Sequence, residues 1–129
     1  MGEAALAAAR GLIGTPFRLH GRDASGLDCV GLVALALRAE GFEGAIPGGY
    51  ALRSGAVSRV REAILGAGLI EVSGAAAGDL LLLRTGPGQL HLAIDSGAGI
   101  VHADAMLRRV VERSDLRWPV IGRWRLQGE

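Results

Sequence analysis

The chain has 129 residues with a formal net charge of +1, so it is sized for one compact domain (residues 1–129) and has no strong field to draw in nucleic acid or a membrane surface. Half of its residues are hydrophobic and 21% are charged, the balance of an ordinary globular protein. The single cysteine excludes an internal disulfide. All fourteen basic residues are arginine, and with 21 glycines this suggests a GC-rich bacterial source. Arginines gather between Arg108 and Arg125, but Glu112 and Asp115 interrupt them, which predicts a solvated face and no nucleic-acid partner. The N-terminus has no positive n-region, and no apolar run reaches the roughly 20 residues that span a bilayer. The expectation is a soluble protein made in the cytoplasm without a leader, with no membrane partner.

In chain order, EAALAAARGL (3–12) is a strong helix former stopped by Gly14 and Pro16. FRLHGRDASG reads as a loop. Asp28 then stands at an N-cap position, and CVGLVALALRAE runs helically to Gly41 with hardly a polar face, which predicts a central, buried helix. GFEGAIPGGYALRSG reads as a loop, and Val57, Val60 and Ile64 recur at helical spacing up to Gly66–Gly68. From Leu69 the period changes. LIEVS, DLLLLRT, QLHLAID, GIVHADA, RRVVER and VIGRWRL are short β-rich runs between turn residues, which predicts a meander of five or six antiparallel strands. Helices followed by such a sheet make an α+β domain.

Cys29 falls on the first turn of the central helix, where unpaired N–H groups and the helix dipole favour an anion and can lower a thiol's pKa. That makes it a candidate nucleophile, against the plainer role of a small buried hydrophobe. A base is available from His91 and His102, which lie in neighbouring strands joined through DSGAG. A hairpin closed by a two-residue loop, Ser96–Gly97, or a four-residue loop, Asp95–Ala98, sets His91 directly opposite His102 on one face. Leu90, Leu92 and Ile94 then point to the other face, onto something apolar. A thiol and two histidines suit nucleophile, base and orienting group. They are also zinc-ligand types, but no C-x-x-C or H-E-x-x-H spacing supports a metal site, and no cofactor is expected. His20 reads as an exposed loop residue or a cleft residue, Asp79 as shaping the turn into its strand, and Tyr50, Trp118 and Trp124 as packing.

LIGTPFRLHGRDASGLDCVGLV resembles the nucleophile segment of the NlpC-type cell-wall cysteine peptidases, the NlpC and p-sixty family, in which an Asp-Cys-x-Gly run opens the central helix. GDLLLLR and QLHLAIDSGAGIVHA resemble that family's strands carrying the base histidine and the third polar residue. The resemblance covers roughly residues 5 to 112. It implies a papain-like core and hydrolysis of amide bonds in peptidoglycan stem peptides, commonly between γ-D-glutamate and the following diamino acid. Carried over by position, Cys29 is the nucleophile, His91 the base and His102 the residue that orients it, with backbone N–H groups at the helix start helping to hold the oxyanion.

Two positions depart from the family's pattern. Phe17 stands where tyrosine is common in the GTPY run, so a hydroxyl beside the thiol is absent unless another donor such as His20 replaces it. Val30 stands where serine is frequent. The compact chain and its closing RWPVIGRWRLQ are similar to peptidases encoded with phage tails and gene-transfer particles, which implies tail-tip or baseplate partners and action in the periplasm. Two other readings stay open: a structural tail component whose peptidase fold has lost activity, favoured by Phe17, and a thiol acyltransferase.

Overall fold

The computed structural model describes residues 2–44, 52 and 55–126. Most of the GFEGAIPGGYALRSG segment, with Tyr50, lies outside them. Among the described residues there are three helices, α1 (Glu3–Gly11), α2 (Cys29–Arg38) and α3 (Val57–Gly66). Two short strands, β1 (Arg22–Asp23) and β2 (Gly26–Leu27), pair with each other. Six more form one antiparallel sheet: β3 (Leu69–Glu71), β4 (Leu80–Gly86), β5 (Gln89–Asp95), β6 (Ile100–Asp104), β7 (Arg109–Arg113) and β8 (Val120–Leu126). The fold is α+β, as the pattern of periods predicts. The stretch read as a plain loop before Asp28 contains the β1–β2 hairpin instead.

The helices end where local chemistry stops them. Asp28 caps α2, its Oδ1 accepting the Gly31 N–H at 2.9 Å. At the other end Gly41 takes φ 98° and the Phe42 N–H reaches back to the Leu37 carbonyl at 3.1 Å, closing the helix. α2 buries Val30 to Ala34, Ala36 and Leu37, so it is the centre of the domain. The α1 start has no side-chain cap of its own; the Glu40 carboxylate, just beyond α2, accepts the Ala5 N–H at 2.9 Å.

The sheet order is β3-β8-β4-β5-β6-β7. Strands β4 to β7 are the expected meander, but β8 returns to lie between β3 and β4, pairing with both. Both sheet faces are covered at the centre. Leu80, Leu82, Leu92, Ile94, Val101 and Trp124 pack with the helices in the main core. Leu81, Leu83, Ala93 and Ile100 form a smaller cluster on the other face, with Trp118 packed against it.

The DSGAG hairpin differs from both expected closures. Its loop is Ser96–Gly99, held by Ser96 N–H to the Gly99 carbonyl at 2.9 Å, Gly99 N–H to Ser96 Oγ at 3.0 Å and Gly97 N–H to Asp95 Oδ1 at 2.7 Å. The register therefore pairs Asp95 with Ile100 and Ile94 with Val101, and the ladder stops there. Continued, it would set Asp104 against His91. His91 and His102 are thus diagonal neighbours and not direct partners. The shift is by two residues, which keeps both on the same face.

Candidate active site

Where the β5–β6 ladder ends the strands part, and a cleft of about 680 Å³ opens there. Leu90 and Ala103, which alternation turns toward the helices, line it together with His91 and His102 from the other face. The parting of the strands explains how a cysteine on the helix side shares a cleft with histidines on the far side. Cys29, Asp28 and Val30 at the start of α2 form one wall; Phe17, Leu19, Met106 and Trp118 add an apolar rim.

The thiol is positioned by a tight crossing. Asp28 also accepts the His20 N–H at 2.8 Å and pairs with Arg22 at 2.7 Å, tying the β1–β2 hairpin to the helix start. The chain passes so close here that a Cβ on Gly31 would collide with the Gly21 carbonyl oxygen, so this turn of α2 requires glycine. His20 is exposed, adopts φ 65° and does not line the cleft; it contributes its backbone N–H to Asp28, and its ring is not the donor that replaces a tyrosine hydroxyl. Phe17 does line the cleft, placing a ring without a hydroxyl at its rim.

Cys29 is half-buried and open to the cleft. Burial pushes its thiol up to about 11, backbone hydrogen bonds from Leu92 and Val30 pull the other way, and the neighbouring Asp28 charge adds to the rise. This reverses the expectation of a lowered thiol pKa: desolvation outweighs the helix terminus, and the capping carboxylate opposes it.

His91 and His102 meet at 2.9 Å, Nε2 to Nδ1, with their rings edge-on at 85°. Burial pushes the His91 ring down to about 3, and the neighbouring His102 adds to the fall. His102 is 1% exposed, and burial lowers its pKa as well. All three shifts run toward the uncharged forms, a neutral thiol beside neutral imidazoles.

Two residues of the site escape the sequence reading. Trp118 stacks edge-on against both rings, with centroids 6.1 Å from His91 and 5.6 Å from His102, so it shields the pair from water besides packing on the sheet. Trp124, by contrast, is fully buried core. Asp104 lines the cleft two residues beyond His102 on the same strand face, a period-2 signal visible in HAD. Asp79 does shape its turn, accepting the Ala76 N–H at 3.0 Å, but it also binds Arg123 and Arg125 well away from the cleft. Among the described residues no group of three or more His, Cys, Asp or Glu side chains is placed to hold a metal ion.

Residues 14–124 match the NlpC/P60 family. The chain belongs to that family. Among solved structures it is similar to the NlpC/p60 domain of peptidoglycan hydrolase SagA, at 35% identity over 88% of each chain with a TM-score of 0.62. It also shares its fold with NlpC1 and NlpC2 from Trichomonas vaginalis, at 22% and 18% identity and TM-scores of 0.69 and 0.70. Each of those alignments covers 97% of this chain but only 43% and 46% of the longer Trichomonas chains. No curated protein matches. The papain-like α+β core is thus that of the NlpC/P60 cell-wall cysteine peptidases.

Proposed function

We propose that this NlpC/P60 chain is a cysteine endopeptidase that cuts peptidoglycan stem peptides at the bond between γ-D-glutamate and the diamino acid, with Cys29 as nucleophile, His91 as base and His102 as the residue orienting it. The observation that carries the reading is the single cleft shared by Cys29, His91 and His102, in which His91 Nε2 is already occupied by His102 at 2.9 Å. Only His91 Nδ1 is left to take a proton from the thiol. Kinship with a domain of a peptidoglycan hydrolase supports the substrate class.

With a neutral resting pair, proton transfer accompanies attack. His91 Nδ1 takes the Cys29 proton as sulfur bonds to the amide carbon, and the oxyanion faces the unpaired N–H groups at the start of α2. The C–N bond then breaks, the leaving amine takes the proton from His91, and a thioester remains. Water, deprotonated by His91, releases the acid and restores the thiol.

The test is digestion of purified Gram-negative peptidoglycan, or of a defined stem tetrapeptide, by wild type and Cys29→Ala, with products read by mass spectrometry. Cleavage at the γ-glutamyl bond by wild type alone is expected. No cleavage by either protein favours the second reading, an inactive structural component, for which Phe17 at the cleft rim is the specific observation. Association with a phage-like tail tip or baseplate and action in the periplasm are part of the proposal and rest on the resemblance of the compact chain, and secondarily of its closing RWPVIGRWRLQ, to peptidases of that subgroup. Mass spectrometry of purified particles that finds no trace of the protein would remove them.

A further inference from the structure

Three buried side-chain nitrogens lack a hydrogen-bond partner among the described residues: His102 Nε2, Arg113 Nε and Trp124 Nε1. Only the first belongs to a residue lining the cleft. It faces the Oδ2 of Asp104 at 3.8 Å, too far for a hydrogen bond but close for a charge in a buried place. The carboxylate cannot turn freely, because its Oδ1 accepts the Met106 N–H at 2.8 Å and the Leu107 N–H at 2.9 Å. The tight turn that follows, with Arg108 at φ 65° and its N–H on the Asp104 carbonyl at 2.8 Å, fixes the backbone beneath it.

The His91–His102 hydrogen bond has two possible polarities. In one, His102 carries its proton on Nε2, its Nδ1 lone pair accepts the His91 Nε2–H, and His91 Nδ1 is a free lone pair able to act as base. In the other, every proton sits on the opposite nitrogen: His102 Nδ1–H donates to His91 Nε2, and His91 Nδ1 carries a hydrogen and cannot accept one. The second arrangement also aims a buried lone pair of His102 at the Asp104 carboxylate. The first aims an N–H there.

We propose that Asp104 is a positioning residue that sets the tautomers of both histidines, selecting through His102 the one polarity in which His91 Nδ1 is a base. It touches no reacting atom. When His91 takes the thiol proton, the charge spreads toward His102 and the Asp104 carboxylate opposes it without itself being protonated. Burial works to raise the Asp104 pKa, yet the Leu107 and Met106 N–H groups and the adjacent His102 hold it below the ordinary carboxylate range, consistent with a permanent charge.

The role given to His91 rests on the peptidase reading, but the tautomers can be read without activity. Asp104→Asn is the decisive variant. Its side-chain oxygen can keep both turn N–H groups, which aims the new NH2 at His102 Nε2 and favours the inverted polarity. Long-range 1H–15N correlation spectra at neutral pH are expected to show Nε2–H on both rings of the wild type and Nδ1–H on both in Asp104→Asn. The same variant should lose roughly a hundredfold or more in kcat with KM within about twofold, and Asp104→Glu should recover part of the loss. Unchanged tautomers in an Asp104→Asn protein with wild-type circular dichroism would overturn the inference, whatever the activity. Inverted tautomers in a protein that cuts no peptide would support it while sinking the peptidase reading.

Discussion

The sheet buries two clusters of charged and polar side chains, and they are built differently. At one end of β5, Asp79 and Asp95 are closed by Arg123 at 2.8 and 2.6 Å and Asp79 also by Arg125 at 2.9 Å, with backbone N–H groups of Ala76 and Gly97 adding to the carboxylates. At the other end His91 and His102 are hydrogen-bonded, His102 Nε2 has no hydrogen-bond partner and stands 3.8 Å from Asp104, and all three residues line a cleft. In the first cluster no buried side-chain atom lacks a partner, so its bonding is spent on holding the strands together. The second leaves His102 Nε2 unpartnered beside an open cleft, and a buried group left in that condition is a candidate for chemistry.

The comparison breaks most visibly at Arg123. Arg123→Ala leaves buried Asp95 without its cation and Asp79 with Arg125 alone, and is expected to lower stability by about 3–5 kcal/mol, measured by denaturant unfolding. Removing the ring nitrogens from the open cluster should do the reverse: His102→Phe, which keeps the buried ring's bulk, should cost less stability, but reduce kcat roughly a hundredfold. Equal destabilisation by both variants would erase the distinction.

Acid sharpens the same contrast. His91 is held neutral in the fold, with its pKa down at about 3, whereas the unfolded chain protonates it near 6.5. Between those values the unfolded state binds the extra proton, so stability falls as pH drops below about 6.5; above that neither state binds it and the contribution vanishes. By pH 5 the loss is about 2 kcal/mol, and His91→Gln should abolish it in unfolding curves taken across that range.

The smallest effect concerns the thiol. With its pKa up at about 11, resting Cys29 should react with iodoacetamide roughly tenfold more slowly at pH 7 than a free cysteine, its low thiolate fraction being partly offset by higher nucleophilicity. The rate should climb steeply above pH 9. Faster reaction than a free thiol would show an ion pair at rest.

Much of this was legible locally. The Asp28 cap, the apolar run of α2 and the α3 repeat each carry their signal within a dozen residues, and the structure places them accordingly. The two histidines share a face because alternation survives a register shift of two, even though the Ser96 and Gly99 contacts choose a different loop. Three features left no local trace. β8 chooses its place between β3 and β4 through long-range pairing. The thiol's pKa depends on what packs around the helix start and not on the helix alone. Trp118 reaches the histidines from a segment outside every strand. Asp104 was readable from its spacing to His102, but nothing in the sequence distinguishes it from a solvated turn aspartate.

The position of β8 also governs when the molecule can assemble. Strands β4 to β7, which carry both histidines, can pair by short hairpins as soon as they emerge in synthesis, whereas β3 must wait some fifty residues for its only neighbour, the last strand of the sheet to be made. A growing chain thus carries its thiol and both imidazoles before the strand that joins β3 to β4, so the sheet closes only once residues through Leu126 are free to pair.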